Sequence, residues 1–266
     1  MTLSFYLNNE NLNSDFVSLL KSADLESSVS KGSLLSELRT GKEIDIRHAT
    51  TVLAIRFKDG VLMAGDRRAT EGNRIAHRSM EKVFPADSHS SVAIAGAAGP
   101  AMEMVRLFQT QLDHFEKVEG VALSLEGKAN QLSQMVSGHL PMALQGLAVV
   151  PIFAGFDLMR NVGRIYSYDV TGGKYEEADF ATMGSGGRDA RSVIKLGFSG
   201  NLDAKGTIHL ALKALIEASD EDSATGGIDI VRKIYPIVAT ITKDGFERLS
   251  DGDVEESLRE IGAFEQ

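Results

Sequence analysis

Three polar residues in the first third of the sequence could together carry out nucleophilic hydrolysis: Thr50, Asp66 and Lys82. A threonine hydroxyl is a weak nucleophile and needs a base within hydrogen-bonding reach. A nearby carboxylate and amine can provide charge and hydrogen bonds that orient such a base. Spacing alone does not establish this site, because threonine opens many strands and Asp and Lys are most often surface residues. On spacing alone, three unrelated polar residues are the more frequent case.

Other catalytic and binding motifs have less support in the sequence. There is no cysteine, which excludes disulfides, thiolate metal ligands and a cysteine nucleophile. The six histidines lie far apart, and neither a His-Glu-x-x-His motif nor a Gly-x-Ser-x-Gly elbow occurs, so we expect no metal centre and no Ser-His-Asp triad. Residues 184–187 (GSGG) could cradle a phosphate but lack the Lys-Ser/Thr ending of a P-loop. The hydrolysis considered above requires no cofactor.

The composition is that of a globular chain without a basic surface. The 266 residues are 43% hydrophobic and carry a formal net charge of −9, which removes the electrostatic reason to expect nucleic acid or an anionic membrane as a partner. The sequence shows no candidate transmembrane run, and its start lacks the charged and apolar regions of a signal peptide. We therefore expect a cytoplasmic protein.

The character of the sequence changes near residue 50. Residues 1–49 are rich in Ser, Asn, Glu and Asp and show little strand pattern, whereas dense apolar runs follow them. Two interpretations stay open for this first segment: a poorly ordered chain end, or a pro-segment that is removed.

A hairpin follows directly. The apolar runs Thr51–Phe57 and Val61–Asp66 flank Asp59 and Gly60, which form a strong turn signal. A turn centred on those two residues gives pairing partners whose numbers sum to about 119. This register returns residues 66–69 to the level of residues 50–53, so we expect Asp66 to lie in the neighbourhood of Thr50.

The remaining sequence alternates blocks of strands with pairs of helices. Strict alternation of single strands and helices is absent, and the hairpin signals favour antiparallel pairing. We therefore predict an α+β fold in which two antiparallel sheets pack face to face with helices outside both. Strands are predicted at 74–77, 82–84, 91–95, 147–156, 164–169, 178–183, 228–232 and 237–242, and helices at 100–120, 125–144, 188–198, 205–219 and from 254 onwards.

Six segments, in order and with family-like spacing, resemble proteasome β subunits, most closely the actinobacterial type. They are Thr50-Thr51-Val52, Gly65–Thr70 (GDRRAT), Lys82-Val83-Phe84, Ile94-Ala95-Gly96, Gly184-Ser185-Gly186 and Asp222–Gly227 (DSATGG). Simpler bacterial ring proteases also begin with Thr-Thr, but GDRRAT and DSATGG resemble the proteasome. The resemblance covers residues 50–266 and implies the four-layer αββα sandwich of N-terminal-nucleophile hydrolases.

The resemblance also implies a division of the chain and a role for each site residue. Residues 1–49 would be a propeptide, removed autocatalytically at the Ala49–Thr50 bond, and residues 50–266 the catalytic domain of a threonine endopeptidase. Thr50 would be the nucleophile and its freed amine the base, with Lys82 supplying positive charge and Asp66 holding Lys82. The remaining catalytic groups would be Asp222, Ser185 and Thr225 around the amine, and the Gly96 N–H as oxyanion donor.

An apolar specificity pocket is implied in the same way. An extended substrate would pair with backbone at Thr70 and around residues 96–98, and cleavage after large hydrophobic residues is expected. One departure from the family pattern is Ala49, where glycine is usual; its methyl group restricts the backbone and predicts slow or incomplete processing. The pocket would be formed by Ala69, Met80, Phe84, Ile94, Ala98 and Met102.

The implied partners are those of a barrel-shaped assembly. They are identical β subunits in seven-membered rings, α-subunit rings, an ATP-dependent ring-shaped unfoldase and unfolded protein substrates. Two alternatives remain: a processing-deficient or catalytically silent structural β subunit of the same assembly, and an amidohydrolase of the same fold that acts on a small molecule. The presence of all the site residues argues against the silent subunit.

Overall fold

The computed structural model describes residues 50–71 and 74–264. The predictions for residues 1–49, including the cleavage site at Ala49, lie outside the described residues. The strands are β1 (Thr51–Phe57), β2 (Gly60–Gly65), β3 (Ala69–Glu71), β4 (Arg74–His77), β5 (Val83–Asp87), β6 (Ser90–Gly96), β7 (Val149–Asp157), β8 (Val162–Tyr168), β9 (Lys174–Glu177), β10 (Phe180–Gly184), β11 (Ile237–Thr242) and β12 (Gly245–Arg248). The helices are α1 (Ala98–Glu119), α2 (Leu125–Gly138), α3 (Leu140–Ala143), α4 (Gly187–Gly197), α5 (Ala204–Glu221) and α6 (Asp251–Glu260).

Two five-stranded sheets form the centre of the described fold. One has the order β10-β1-β2-β11-β12 and the other the order β5-β6-β7-β8-β9, while β3 and β4 form a separate ribbon. Neighbouring strands in all three are antiparallel. This arrangement confirms the predicted pairing and places β1 between β10 and β2, inside its sheet.

Both faces of each central sheet are covered, which explains why the strand sequences are apolar at successive positions. Val52 and Ala54 of β1 pack between the sheets against residues of β6 and β7. Leu53 and Ile55 point to the other face, where α4, α5 and α6 cover the sheet. The second sheet packs its outer face against α1 and α2. The layers are therefore helices, sheet, sheet and helices, as the sequence predicted.

The first hairpin has a different register from the predicted one. Phe57 pairs with Gly60, so the turn contains Lys58 and Asp59, and the partner numbers sum to two less than expected. A shift of two residues keeps every side chain on its predicted face. Its consequence is that Asp66 lies opposite Thr51, with the Asp66 N–H donating to the Thr51 carbonyl at 3.1 Å.

Three element predictions were wrong or incomplete. The strand at 228–232 is absent: that segment is a loop with a single bridge between Asp229 and Ile234, and the Val231 side chain is exposed. The helix predicted over 125–144 ends at Gly138, and α3 restarts with Pro141 in its first turn because proline cannot continue the hydrogen-bond ladder. The short strands β3, β9 and β12 were not predicted, since their three or four residues carry no clear alternation.

Candidate active site

Thr50 is held at the entrance to β1 and is 5% exposed. Its carbonyl accepts the Ser185 N–H at 3.0 Å, and its own nitrogen lies 3.4 Å from the Ser185 Oγ. Gly184 makes this approach possible, because its φ of +102° suits glycine and a Cβ there would collide with the Thr50 carbonyl. Pairing between β1 and β10 therefore fixes the backbone of Thr50 before any side chain is considered.

Asp66 and Lys82 form a buried ion pair next to β1. Asp66 follows β2 and Lys82 precedes β5, so the ends of two different sheets meet here. The Lys82 Nζ lies 2.7 Å from Asp66 Oδ1 and also donates to the Arg68 carbonyl. The two side chains are 2% and 0% exposed. A buried pair of this kind persists only because each charge is compensated by the other.

The Asp66 carboxylate accepts four donors. Oδ1 receives the Thr51 N–H at 2.9 Å together with the Lys82 Nζ. Oδ2 receives the backbone N–H groups of Arg68 at 2.8 Å and Gly226 at 2.7 Å. All of its strong acceptor positions are occupied, so its position is set by four separate segments of backbone and side chain.

Burial lowers the pKa of Lys82 below its ordinary value, although the Asp66 carboxylate opposes this effect. A lysine in such an environment is a cation that is poorly solvated by water. Its charge therefore acts strongly on neighbouring groups, because the surrounding dielectric is low. A hydroxyl or amine beside it loses a proton more readily than in water.

A second carboxylate, Asp222, lies on the other side of Thr50 at the end of α5. It accepts hydrogen bonds from the hydroxyls of Ser185 and of Thr225, the latter at 2.6 Å. Burial acts to raise the pKa of Asp222, but the hydrogen bonds from Ser185, Thr225 and the Ala224 backbone outweigh it and hold the pKa below its usual range. Asp222 is therefore an anion at neutral pH, linked to the Thr50 nitrogen through Ser185.

Thr225 contacts different groups from those the sequence predicted. Its hydroxyl bonds to Asp222 and lies 2.6 Å from the Thr51 Oγ1, rather than meeting the Thr50 nitrogen. It therefore acts on that nitrogen only through its neighbours.

One cavity joins these groups to the predicted pocket. It has a volume of about 150 Å³, and Thr50, Lys82 and Gly96 lie in its wall. Gly96 has a φ of +123° and lies so close to the Ala148 carbonyl that a Cβ would not fit. The other lining residues are Ala69, Thr70, Met80, Glu81, Phe84, Ile94, Ala97, Ala98, Ala101 and Met102. The structure thus brings together all seven residues predicted to bind substrate.

Several residues around the site were not assigned by the sequence analysis. Thr51, Arg68 and Gly226 hold Asp66 through backbone groups, which carry no signal in residue type. Glu81 adds a carboxylate to the cavity wall, and its side chain is paired with Arg248 at 2.7 Å. Thr51 had a signal in its residue type, because a hydroxyl that opens an apolar strand directly after a candidate nucleophile requires a partner once it is buried.

Residues 50–71 and 74–264 contain neither a metal-binding cluster nor a membrane-spanning helix. No cluster of three or more histidine, aspartate or glutamate side chains there could hold a metal ion. In the same residues, no helix combines the length and apolar character needed to cross a membrane. The groups available at the site are Thr50, the buried Lys82 cation and the Asp222 carboxylate, beside a cavity lined mostly by apolar side chains.

The matching family and the relatives below are all described as proteasome subunits. The family described as "Proteasome subunit" matches residues 46–234. The proteasome subunit beta of Acidimicrobium ferrooxidans is 59% identical over 216 residues, which cover 81% of this chain and 79% of the relative. The proteasome subunit beta of Streptomyces griseus is 55% identical, covering 82% and 78%, and that of Acidothermus cellulolyticus is 53% identical, covering 80% and 75%. The chain therefore belongs to the proteasome subunit family, as a β subunit of the actinobacterial type.

Proposed function

We propose that this β subunit is a threonine endopeptidase whose nucleophile is the Thr50 Oγ1. The observation that carries the proposal is the shared cavity, in whose wall Thr50 lies together with Lys82 and an apolar pocket. A hydroxyl, a buried cation and a recess for a side chain are the parts that peptide hydrolysis needs. The relatives' names support a role in the proteasome core, and the site supports the threonine chemistry.

The base in this proposal is the α-amino group of Thr50, free once residues 1–49 are removed. An unperturbed terminal amine has a pKa of about 8, so a useful fraction is neutral near physiological pH. The Lys82 charge favours the neutral amine, while the Ser185 hydroxyl, held by Asp222, orients it. Both carboxylates therefore act by placing charge and hydrogen bonds around one nitrogen.

The reaction proceeds in two steps. The Thr50 Oγ1 attacks the carbonyl carbon of the scissile peptide, and its proton passes to the terminal amine. The tetrahedral intermediate expels the leaving amine, which takes that proton, and leaves an ester on Thr50. Water then attacks the ester and gives a proton to the terminal amine. The amine passes this proton to the Thr50 Oγ1 as the carboxylic acid product leaves. The Gly96 N–H is the proposed donor to the oxyanion, and such a donor typically contributes about 2.7 to 4 kcal/mol.

Autocatalytic removal of residues 1–49 belongs to the same proposal. In the precursor the Thr50 nitrogen is part of the Ala49–Thr50 peptide bond and cannot act as an amine base. The Thr50 hydroxyl would attack the Ala49 carbonyl, and the Ala49–Thr50 C–N bond would break, freeing the amine and leaving an ester on the Thr50 Oγ1. Water would then hydrolyse this ester, releasing residues 1–49 and restoring the hydroxyl. The methyl group of Ala49 restricts the backbone there, so we expect slower processing than a glycine would allow.

The proposed setting is a closed cytoplasmic assembly. Heptameric β rings, α rings and an ATP-dependent unfoldase would deliver unfolded protein to the site, and the apolar cavity favours cleavage after large hydrophobic residues. This setting is supported by the relatives' naming as proteasome subunits and by exposed apolar side chains such as Leu196, which is 90% exposed in the isolated subunit.

Covalent labelling tests the proposal directly. A peptide vinyl sulfone with leucine at its reactive end should label the assembled, processed protein once per β subunit, and peptide mapping should place the adduct on Thr50. A Thr50→Ala subunit should take up no label. Labelling of Thr50→Ala to the same extent, or an adduct on another residue, would overturn the assignment, and absence of labelling from a processed parent would favour a silent subunit.

A further inference from the structure

Thr51 lies directly after the proposed nucleophile, and the mechanism above leaves its side chain unused. It is the first residue of β1 and is fully buried. Its N–H donates to Asp66 Oδ1 at 2.9 Å, and its carbonyl accepts the Asp66 N–H at 3.1 Å. Its Oγ1 lies 3.1 Å from the Gly186 nitrogen and 2.6 Å from the Thr225 Oγ1. Every polar atom of Thr51 therefore has a partner at the site.

The direction of these hydrogen bonds follows from the number of protons available. The Asp222 carboxylate can only accept, so the single Thr225 hydroxyl proton points to Asp222. Thr51 must then donate its own hydroxyl proton to Thr225 and accept the Gly186 N–H. The result is a one-way chain from Gly186 through Thr51 and Thr225 to Asp222.

Together with Ser185, this chain forms a closed circuit of hydrogen bonds and covalent bonds that includes Thr50. From the Thr50 nitrogen, hydrogen bonds run through Ser185 to Asp222. From Asp222 they return through Thr225 to Thr51, which is covalently bonded to Thr50. Thr51 also joins the two carboxylates, with its backbone on Asp66 and its side chain leading to Asp222. A displacement of either half of the site is therefore passed to the other through this residue.

We propose that the Thr51 hydroxyl is a positioning group that fixes Asp222 and Ser185 against the Thr50 nitrogen. This inference rests on the proposed function of Thr50. The hydroxyl touches no substrate: it acts through Thr225, and its effect is on the placement of the base. Loss of the hydroxyl would leave the buried Gly186 N–H without its acceptor and the Thr225 oxygen without its donor, so the circuit would open on the Thr51 side.

The test compares two replacements that separate the hydroxyl from the shape. Thr51→Val keeps the branched side chain and removes the hydroxyl, whereas Thr51→Ser keeps the hydroxyl. For the fraction of chains that begin at Thr50, measured by intact mass, Thr51→Val should lower kcat about 10- to 100-fold with KM changed less than about twofold. Thr51→Ser should give a rate closer to the parent than to Thr51→Val.

A matched control uses the same chemical change elsewhere. Thr207 is also fully buried, and its hydroxyl donates to the Asp203 carbonyl at 2.7 Å within α5, away from the site. Thr207→Val should leave kcat unaltered. A second outcome would also support the inference: Thr51→Val assembles without being processed, while Thr51→Ser is processed under the same conditions. The Thr51 hydroxyl would then be required for removal of residues 1–49.

The outcomes that would overturn the inference are distinct from failure of the proposed function. A Thr51→Val enzyme with the parent kcat, or a Thr51→Ser enzyme as slow as Thr51→Val, would show that the hydroxyl does not position the base. Equal loss in Thr207→Val would indicate a general packing effect. Full activity of Thr50→Ala would instead refute the nucleophile itself.

Discussion

The Asp66–Lys82 pair determines what the site can do at the level of single residues. The carboxylate is held by three backbone N–H groups besides Lys82, so it is the fixed member of the pair. The position of the Lys82 ammonium is set by its hydrogen bonds to Asp66 and to the Arg68 carbonyl. Because burial already disfavours the charge on Lys82, that charge depends on Asp66 remaining in place.

Replacing Lys82 with methionine should abolish peptide hydrolysis and lower the free energy of unfolding. The change would leave Asp66 as a buried carboxylate without its cation, a defect that typically costs about 3 to 5 kcal/mol. Peptide hydrolysis should fall below detection, and chemical denaturation should show the lower free energy of unfolding.

A second buried lysine in the described chain provides the control for that substitution. Lys128 of α2 pairs with Asp87, with side chains 9% and 17% exposed, outside the cavity that contains Thr50. Lys128→Met should also lower the free energy of unfolding, but the folded enzyme should keep its kcat. Hydrolysis by Lys82→Met at the parent rate would contradict the role given to this lysine.

The sequence revealed some of these residues and not others, for a physical reason. Thr50, Asp66 and Lys82 were found as side chains whose types fit hydrolysis, and family resemblance rather than spacing raised them above unrelated polar residues. Arg68 and Gly226 act through backbone N–H groups, which any residue provides. Thr225 was predicted to orient the Thr50 amine together with Asp222, and its contact with Thr51 could not be predicted because it depends on how β1 meets the loop after α5.

At the level of elements, hairpin turns set the registers that bring the site together. The turn at Lys58 and Asp59 lies one position before the predicted one, which shifts the pairing register by two residues and places Asp66 opposite Thr51. The hydrophobic pattern specified the faces of the strands, so the layers were predicted correctly. The loop at 228–232 was misread as a strand because its apolar residues suit β-structure, whereas Val231 lies in solvent.

The turn between β8 and β9 should show a pH-dependent contribution to stability. Hydrogen bonds from Thr171 and Tyr175 lower the pKa of Asp169 from 3.8 to about 2. A carboxylate with a lowered pKa contributes stability that is complete above the unfolded value and is lost as the pH falls through the folded value. The difference in unfolding temperature between the parent and Asp169→Asn should therefore shrink as the pH falls from about 5 towards about 3. A difference that is constant over this range would contradict the assignment.

The cavity beside Thr50 predicts a change of specificity when it is made smaller. Ala69 begins β3 and lies in the wall of this cavity of about 150 Å³. Ala69→Leu should lower kcat/KM for peptides cleaved after leucine or tyrosine by about 10-fold or more, because the added carbons take the space of the substrate side chain. Cleavage after alanine, measured in the same preparation, is the control and should change much less. Equal loss for all peptides would argue that the cavity is not the specificity pocket.

At the level of the whole molecule, the fold has a buried centre and carries several exposed apolar side chains on its surface. The two sheets and their helices bury nearly all of β1 and β2, so Thr50 is attached to the most enclosed part of the described fold. Outside, Met159, Leu196 and Val231 are each at least 90% exposed in the isolated subunit. Side chains of this kind are expected at contacts with other subunits of the ring, and the sequence could not show which would be exposed.

Autocatalytic activation by Thr50 is tested by the intact mass of the β subunit after assembly with its α partner, for the parent and for Thr50→Ala. The parent should lose residues 1–49, slowly because of Ala49, while Thr50→Ala should assemble and keep them. Glycine at position 49 should speed the loss. Cleavage of Thr50→Ala at the same bond would contradict autocatalysis and show that another protease matures the subunit, and a parent that is never cut in a complete assembly would contradict activation by Thr50.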